Sequence, residues 1–405
     1  MKKAFVVLMI LLLLPVVGWT TDWYVRPAGG DYGNEDGTSY DNAWDGFSNI
    51  VWGAGGVQAG DTLWLDGEFR ESLPIGASGT ANNPIRIRAY NEAVINGSDD
   101  ITSVSWEEES TNVWRYNIGS TDPRIVVFND TQSGNRVTSD PTAQFKWTYS
   151  DPYIKIYSEG EPSSYYSKIE AGVRDCISDA FGDHYVELEG ITFTKGRRIV
   201  YWNGAPSNVA FIECRFLHNG GGITFRGIDS DTYAENCKVI DCYLNDIRYT
   251  PNTDVPFIEF TSYTRSCTVE NSTFIGDSTY TYGSDGIIIS NSCAGNGFIF
   301  NNNSFKYFAE NAIDIKNNST SSVGEDWTVI SDNIIERTDQ AGIVLHLGAS
   351  KVEITRNTIR NCSHYGILFI GDNGTEGDYR IAYNLITSND FAGISDNYSN
   401  PVQGN

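Results

Sequence analysis

The sequence predicts an all-β protein whose chain winds as a coiled stack of short strands. A phrase built on Gly-Ile recurs in its second half, and an apolar-x-x-Asn-x-apolar phrase recurs between the copies. The copies return at intervals of about 24 to 31 residues, a spacing typical of solenoids. The Gly-Ile copies are Gly286–Ile289, Ala312–Lys316, Gly342–His346, Gly366–Phe369 and Gly393–Ser395. The Asn copies are Ile330–Ile335, Ile354–Ile359 and Ile381–Ile386.

Each phrase alternates apolar with polar residues, which is the period of a strand with one buried face. The helical alternative fails because apolar residues do not recur at helical intervals and because Asn, Gly, Thr and Ser are dense throughout. No phrase is long enough to bury its own apolar face. Neighbouring units must therefore stack on one another.

The composition of the 405 residues indicates a packed β protein and excludes some classes of binding partner. A hydrophobic content of 40% supports a packed interior, and 40 glycines fit a turn-rich all-β chain. The net charge of -24 argues against nucleic acid and against anionic membrane surfaces as partners. A polyanionic substrate would have to meet a metal ion or a local group of Lys and Arg.

The first segment, residues 1–21, has the pattern of a secretory signal. Lys2 and Lys3 precede an apolar run from Ala4 to Val17, and small residues follow near a plausible cleavage point. That run is short for a membrane span, and no later segment has the length or apolarity to cross a bilayer. We expect a protein secreted to the periplasm or the extracellular space, with no membrane attachment after cleavage. The sequence leaves the oligomeric state open.

Three further segments follow the signal. Residues 22–100 are expected to form an N-terminal cap and the first coils, with a short covering helix around residues 43–51, because an open solenoid end exposes apolar surface. Residues 101–180 interrupt the repeat with Trp, Tyr and Val, and predict a β-rich insertion in which no chemistry stands out. Residues 181–405 hold the regular coils.

One column of the repeat has a structural explanation. Aligning the Asn positions places equivalent residues about 4.8 Å apart in adjacent coils, where buried amides can bond to one another. Two cysteine pairs, Cys214 with Cys242 and Cys237 with Cys267, are also equivalent in neighbouring coils. A disulfide in either pair is sterically possible, but small buried thiols in a ladder are the favoured interpretation. The column is Cys214, Cys242, Ser272, Asn303, Asn333, Asn357 and Asn384.

These features resemble the right-handed parallel β-helix, or pectin-lyase-like, superfamily, over about residues 185 to 397. The opening segment resembles secreted members at Gly37–Ser39, Gly60–Leu63, Phe69–Glu71 and Asn83–Ile85. The resemblance implies three parallel strands per coil, with the Asn at the bend between the second and the third. The Gly-Ile phrase then lies on the first strand, whose outer face usually carries the site in lyases of this fold. The same scaffold also carries hydrolases, epimerases and adhesins.

Alternation gives the side chains that point outward from this first strand, in two columns. Charges gather in the middle coils, and Asp314 and Lys316 lie on one strand about 6.6 Å apart. The first column is Thr224, Glu259, Ile288, Asp314, Val344, Leu368 and Ser395. The second is Arg226, Thr261, Ser290, Lys316, His346, Ile370 and Asn397.

The resemblance to lyases of this fold implies a β-elimination that cleaves acidic, uronate-containing polysaccharide. Lys316 would be the base that removes the α-proton, and His346 or Arg226 would assist the leaving oxygen or the uronate carboxylate. Asp314 and Glu259 would bind Ca²⁺, the expected cofactor. The order acid-x-Lys resembles the alginate lyase and chondroitinase B type, which has more acidic ligands before its Lys and an Arg in place of His346. Aromatic residues expected to contact sugar rings are Tyr280, Tyr282, Tyr307 and Tyr365.

Two other functions remain open. A glycoside hydrolase of the same fold would need clustered carboxylates, and Asp285 is interpreted as a turn residue before the next strand. A non-catalytic protein that binds glycans or a cell surface is favoured by the neutral outward residues of the two columns. In that case Asp314 and Lys316 would form a surface ion pair of little energetic value.

Overall fold

The computed structural model describes residues 20–178, 182–248, 255–277, 284–290, 293, 296–316, 326–346, 349–371 and 378–396. Most of the predicted signal segment therefore lies outside the described residues. The described chain is almost entirely strand, with one α-helix at Pro162–Tyr165 and two 3-10 helices at Tyr40–Asn42 and Phe47–Asn49. None of its helices is both long and apolar enough to cross a lipid bilayer.

Two parallel sheets form the solenoid, and each regular coil gives two or three strands to the larger, sheet A, and one to the smaller, sheet B. The strands of sheet B are Val200–Asn203, Ile223–Arg226, Ile258–Thr261, Ile287–Ile289, Ile313–Ile315, Ala341–His346, Tyr365–Ile370 and Ala392–Asp396. Those of sheet A are Asp22–Arg26, Trp44–Asp45, Thr62–Phe69, Ile85–Asn96, His184–Thr194, Ser207–Ile212, Arg215–Asn219, Ala234–Glu235, Lys238–Ile240, Tyr243–Ile247, Thr264–Arg265, Thr268–Glu270, Thr273–Ile275, Ile299–Asn301, Ser304–Phe308, Thr328–Ser331, Ile334–Thr338, Val352–Thr355, Thr358–Arg360, Tyr379–Ala382 and Leu385–Thr387. A separate two-stranded pair joins Leu73–Pro74 to Ile177–Ser178.

The predicted inward column of isoleucines is confirmed. Ile287 pairs with Ile313 and Ile313 with Ile343 in parallel register, and all three are completely buried. Aromatic rings stack in the same way inside the coils, for example Phe225 on Phe260 with centroids 5.7 Å apart. Because the register repeats without slippage, every intervening residue of sheet B is directed to the outer face.

The asparagine column forms the predicted ladder. The side-chain oxygen of Asn333 accepts the backbone N–H of Asn303 at 2.9 Å, and that of Asn357 accepts the backbone N–H of Asn333 at 2.9 Å. The ladder continues to Asn384. Each amide thus satisfies backbone groups at a bend where the strands cannot pair with each other.

The cysteines are all buried and free, which agrees with the ladder of small thiols. At the start of the solenoid, the covering helix expected around residues 43–51 is confirmed in part. The chain there forms the strand Trp44–Asp45 and then a single 3-10 turn, Phe47–Asn49, in place of a longer helix. The ring of Phe47, in this turn, stacks on Phe69 at 4.2 Å and covers the core.

Antiparallel strands between Ser98 and Gly172 form a unit with its own core around Trp106, Phe128 and Trp147. Its four-stranded sheet consists of Ser98–Asp100, Val126–Phe128, Gln132–Ser133 and Ile169–Gly172. Its five-stranded sheet consists of Glu107–Ser110, Val113–Asn117, Asn135–Arg136, Lys146–Ser150 and Tyr153–Tyr157. This unit is called the insertion below.

Buried charge holds the insertion against the solenoid. The Glu170 side chain is fully buried, and it contacts Lys195 and also Arg70, whose Nη2 lies 2.7 Å away. Lys168 Nζ adds a contact at 3.3 Å. Burial opposes ionisation of Glu170, but the hydrogen bonds from Lys195 and Arg70 and the nearby positive charges outweigh it and lower its pKa to about 2.

Candidate functional site

The two outward columns of sheet B are in the predicted register. Thr224 pairs with Glu259, Glu259 with Ile288, and Ile288 with Asp314. One strand earlier, Tyr201 pairs with Thr224 and extends the first column. We call this surface, from Tyr201 to Leu368, the outer face of sheet B.

Asp314, Lys316 and His346 come together on this face. His346 Nε2 lies 3.0 Å from Asp314 Oδ1, and Lys316 Nζ lies 3.7 Å from Asp314 Oδ2. The side chains of Lys316 and His346 are 22% and 29% exposed, whereas that of Asp314 is 4% exposed. The expectation of a solvent-facing Asp314 is therefore wrong. Its column neighbours Ile288 and Val344 are also buried, whereas Lys316 and His346 remain partly exposed.

A further carboxyl group lies beside this group. Asp285 is completely buried, and its Oδ1 accepts the backbone N–H of Asn311 at 2.9 Å. Burial, followed by the negative charges of Asp314 and Glu310, raises the pKa of Asp285 well above its ordinary value. Asp285 does precede the strand Ile287–Ile289, as the turn interpretation expected, but that interpretation did not indicate the burial of its side chain.

Glu259 lies nearer the N-terminal end of the same column. Thr224 Oγ1 donates to Glu259 Oε2 at 3.3 Å. Burial raises the pKa of Glu259, although the Thr224 hydrogen bond and the charges of Lys316 and Arg226 act in the opposite direction. Arg226 donates from Nη1 to the Tyr201 hydroxyl at 2.9 Å, so the two side chains form one polar wall.

Glu259 borders open space. It lines a pocket of about 200 Å³ together with Arg198, Tyr201 and Thr224. Arg198 and Tyr201 also line a neighbouring cavity of about 670 Å³ at the insertion. Glu259 therefore borders an open part of the outer face. Sequence reasoning missed Tyr201, although the alternation of Val200, Tyr201 and Trp202 places it in the first column.

The two predicted aromatic residues within the described part of the chain, Tyr307 and Tyr365, do not gather at this place. Tyr307 lies on the sheet A strand Ser304–Phe308, where Arg337 stacks over its ring at 5.4 Å. Tyr365 packs with Val344 and Leu368 at the far end of the outer face. The remaining two predicted positions, Tyr280 and Tyr282, lie outside the described residues.

Comparison with known proteins establishes the family. The model of the family "Right handed beta helix region" matches residues 154–328 and 324–405, more than half of the chain. The chain belongs to the right-handed β-helix family. The fold is thus the right-handed parallel β-helix solenoid that the sequence predicted. No curated protein matches this β-helix chain.

Solved structures resemble this β-helix at low identity. XylC, in a complex with xylose, is 11% identical over 94% of this chain and 87% of its own, with a TM-score of 0.54. A glycoside hydrolase is 11% identical over 92% of this chain and 97% of its own, with a TM-score of 0.53. A pectate lyase is 12% identical over 96% and 82% of the two chains, with a TM-score of 0.38. At these identities the similarity shows the fold alone.

Among the described residues, the outer face of sheet B has few ligands for a calcium ion. No three His, Cys, Asp or Glu side chains of the described residues come together as a metal-binding group. Asp314 is buried against Lys316, and Ile288 separates it from Glu259 in the column. These residues do not fit a site for Ca²⁺, which favours six to eight oxygen ligands. Calcium binding stays a prediction from the sequence.

Proposed function

We propose that this β-helix protein binds a polysaccharide on the outer face of sheet B and cleaves it with Glu259 as the proton donor. The observation that carries the proposal is the environment of Glu259, a largely buried carboxyl with a raised pKa beside an open pocket. A general acid must still hold its proton at the working pH, and burial is the usual means. Export, as proposed from residues 1–21, would deliver the protein to extracellular glycans.

Hydrolysis is the reaction that the geometry favours. In such a step Glu259 protonates the glycosidic oxygen, the bond from that oxygen to the anomeric carbon breaks, and water adds to the carbon. The base for the water would come from the group at Asp314. His346 is its most exposed member, and its Nε2 lies 3.0 Å from Oδ1 of the buried Asp314. Glu259 and Asp314 are two strands apart, or about 10 Å.

Elimination from an acidic glycan is the second candidate. It is favoured by the positive charges of Arg226 and Lys316, both of which act on Glu259. A uronate carboxylate bound between them would be neutralised, which makes its α-proton more acidic. Lys316 or His346 would then take that proton, and Glu259 would protonate the leaving oxygen.

The test compares the wild-type protein with Glu259→Gln on xylan, pectate, alginate and chondroitin sulfate. Glu270→Gln is the matched control, since Glu270 lies on the sheet A strand Thr268–Glu270, away from the pocket. We expect Glu259→Gln to lower the rate by about 100-fold or more, as loss of a general acid does, and Glu270→Gln to leave it unchanged. Equal rates for all three proteins would overturn the proposal.

Reactions in ¹⁸O-labelled water, with Ca²⁺ or with a chelator, separate the two chemistries. Hydrolysis places one ¹⁸O atom in the products and gives no absorbance in the unsaturated-uronate band. Elimination gives that absorbance and no label. Binding to a glycan without either product would instead support the non-catalytic function.

A further inference from the structure

The insertion forms one wall of the larger cavity. Thr121 and Asp122 of the insertion line a cavity of about 670 Å³ together with Asp175, Arg198 and Tyr201. Tyr201 belongs to Val200–Asn203, which is the first strand of sheet B; the backbone N–H groups of Cys176 and Ile177 in the preceding coil donate to the carbonyl oxygens just before it. The cavity therefore lies at one end of the outer face, and its size is within the range of about 300 to 1,000 Å³ for small-ligand sites.

The charged side chains that line this cavity, Asp122, Asp175, Arg197 and Arg198, are balanced in sign, and ion pairs hold them. Asp175 Oδ2 lies 3.0 Å from Arg198 Nη2, and Asp175 Oδ1 lies 3.8 Å from Arg197 Nη1. Asp122 Oδ1 lies 2.8 Å from Arg136 Nη1. A lining with balanced charge gives no net attraction to an anion, whereas Asp and Arg side chains can both bond to hydroxyl groups. Hydroxyl groups in the lining come from Ser72, Ser120, Thr121, Ser178 and Tyr201.

The cavity is close to the proposed proton donor. Tyr201, Thr224 and Glu259 are consecutive in one column, so Glu259 is two strands, or about 10 Å, from the cavity residue Tyr201. The smaller pocket that Glu259 lines shares Arg198 and Tyr201 with the cavity. A ligand in the cavity can thus continue directly to Glu259.

We propose that this cavity binds a neutral sugar unit of an uncharged glycan, and that the insertion supplies one side of that subsite. The inference rests on the proposed function for its cleavage point at Glu259. Residues 120–122 of the insertion line the cavity, so a glycan that fills it and reaches Glu259 contacts the insertion as well as the solenoid. The insertion, in which the sequence indicates no functional residue, thereby takes part in binding the substrate.

Binding of monosaccharides tests the cavity without requiring catalysis. In the Glu259→Gln protein, titration calorimetry or ligand-observed NMR compares xylose, glucose and galactose with galacturonic acid, which differs from galactose only by its carboxylate. We expect at least one neutral sugar to bind, and galactose to bind at least as tightly as galacturonic acid. Tighter binding of the acid, or no binding of any neutral sugar, would overturn the inference.

A pair of threonine substitutions locates the binding. Thr121→Trp places a large ring in the cavity, and Thr142→Trp is the matched control at an exposed insertion residue outside the lining. We expect Thr121→Trp to weaken binding of the neutral sugar at least tenfold and Thr142→Trp to leave it unchanged. Equal affinities would refute the site. Sugar binding that depends on Thr121, in a protein that cleaves nothing, would keep the cavity and remove the proposed function.

Discussion

Replacing Asn333 with alanine removes the centre of the asparagine ladder. Its side-chain oxygen accepts the backbone N–H and the Nδ2 of Asn303, at 2.9 and 3.1 Å. Its Nδ2 donates to Phe300 O and to Asn357 Oδ1, both at 2.9 Å. The residue is 1% exposed, so water cannot replace these partners.

The loss of stability depends on the hydrogen-bonding groups that remain buried without the Asn333 side chain. The Asn303 backbone N–H loses its acceptor and remains buried, a loss of about 1 to 3 kcal/mol. The other three groups each lose one hydrogen bond, worth about 0.5 to 1.5 kcal/mol apiece when partners remain. We expect Asn333→Ala to lower the free energy of unfolding by about 3 to 5 kcal/mol, a value large for a single substitution.

Urea unfolding measures this difference. Asn384→Ala, at the partly exposed end of the ladder, should cost less, about 1 to 2 kcal/mol, because water reaches its partners. Asn245→Ala, on the outer side of Tyr243–Ile247 and outside the ladder, should stay within about 0.5 kcal/mol of the wild type. If Asn333→Ala is no more damaging than Asn245→Ala, the ladder does not stabilise the bends as argued.

Three other outcomes follow from buried groups. The pKa of Glu170 is about 2 in the folded protein, so about 3 kcal/mol of stability should be present above pH 4.5 and lost as the pH falls toward 2. In urea unfolding across this window, the free energy of unfolding should depend less on pH for Glu170→Gln than for the wild type. The same dependence on pH in both proteins would contradict the burial of that charge. The pKa of Asp285 is raised in the folded protein, so its ionisation costs stability as the pH rises above the pKa of this group in the unfolded chain. Asp285→Asn keeps an acceptor for the Asn311 N–H and should be at least as stable as the wild type at pH 8. A clear loss of stability at that pH would refute the raised pKa of Asp285. All seven cysteines are buried and free, so a thiol reagent should modify none in the native protein and seven after denaturation; fewer than seven would indicate disulfides.

The repeat could be predicted from sequence because its signals are local. Alternation around Ile287, Ile313 and Ile343 fixes which side of each strand is buried, and the even spacing fixes how the strands pair. The register of the outward columns follows from the same alternation, down to the pairing of Ile288 with Asp314. The Asn ladder follows as well, since one residue type recurs at one bend.

The state of the site could not be predicted, because it depends on chain segments far apart in sequence. The outward direction of Asp314 was correct, but alternation does not give its burial. The cavity is lined by residues 120–122 of the insertion as well as by the solenoid, and the insertion contacts the solenoid where Glu170 meets Lys195 and Arg70. No pattern within residues 101–180 indicates that contact, so the insertion carried no functional signal.

The most direct test of Glu259 as the proton donor varies the leaving group. A leaving group that is already a weak base, such as 4-nitrophenolate, departs without a proton, whereas a sugar hydroxyl does not. We predict that Glu259→Gln lowers kcat/KM about 100-fold or more on the natural glycan but less than about tenfold on the matching 4-nitrophenyl glycoside. An equal loss on both substrates, or no loss on either, would contradict the assignment of Glu259 as the acid.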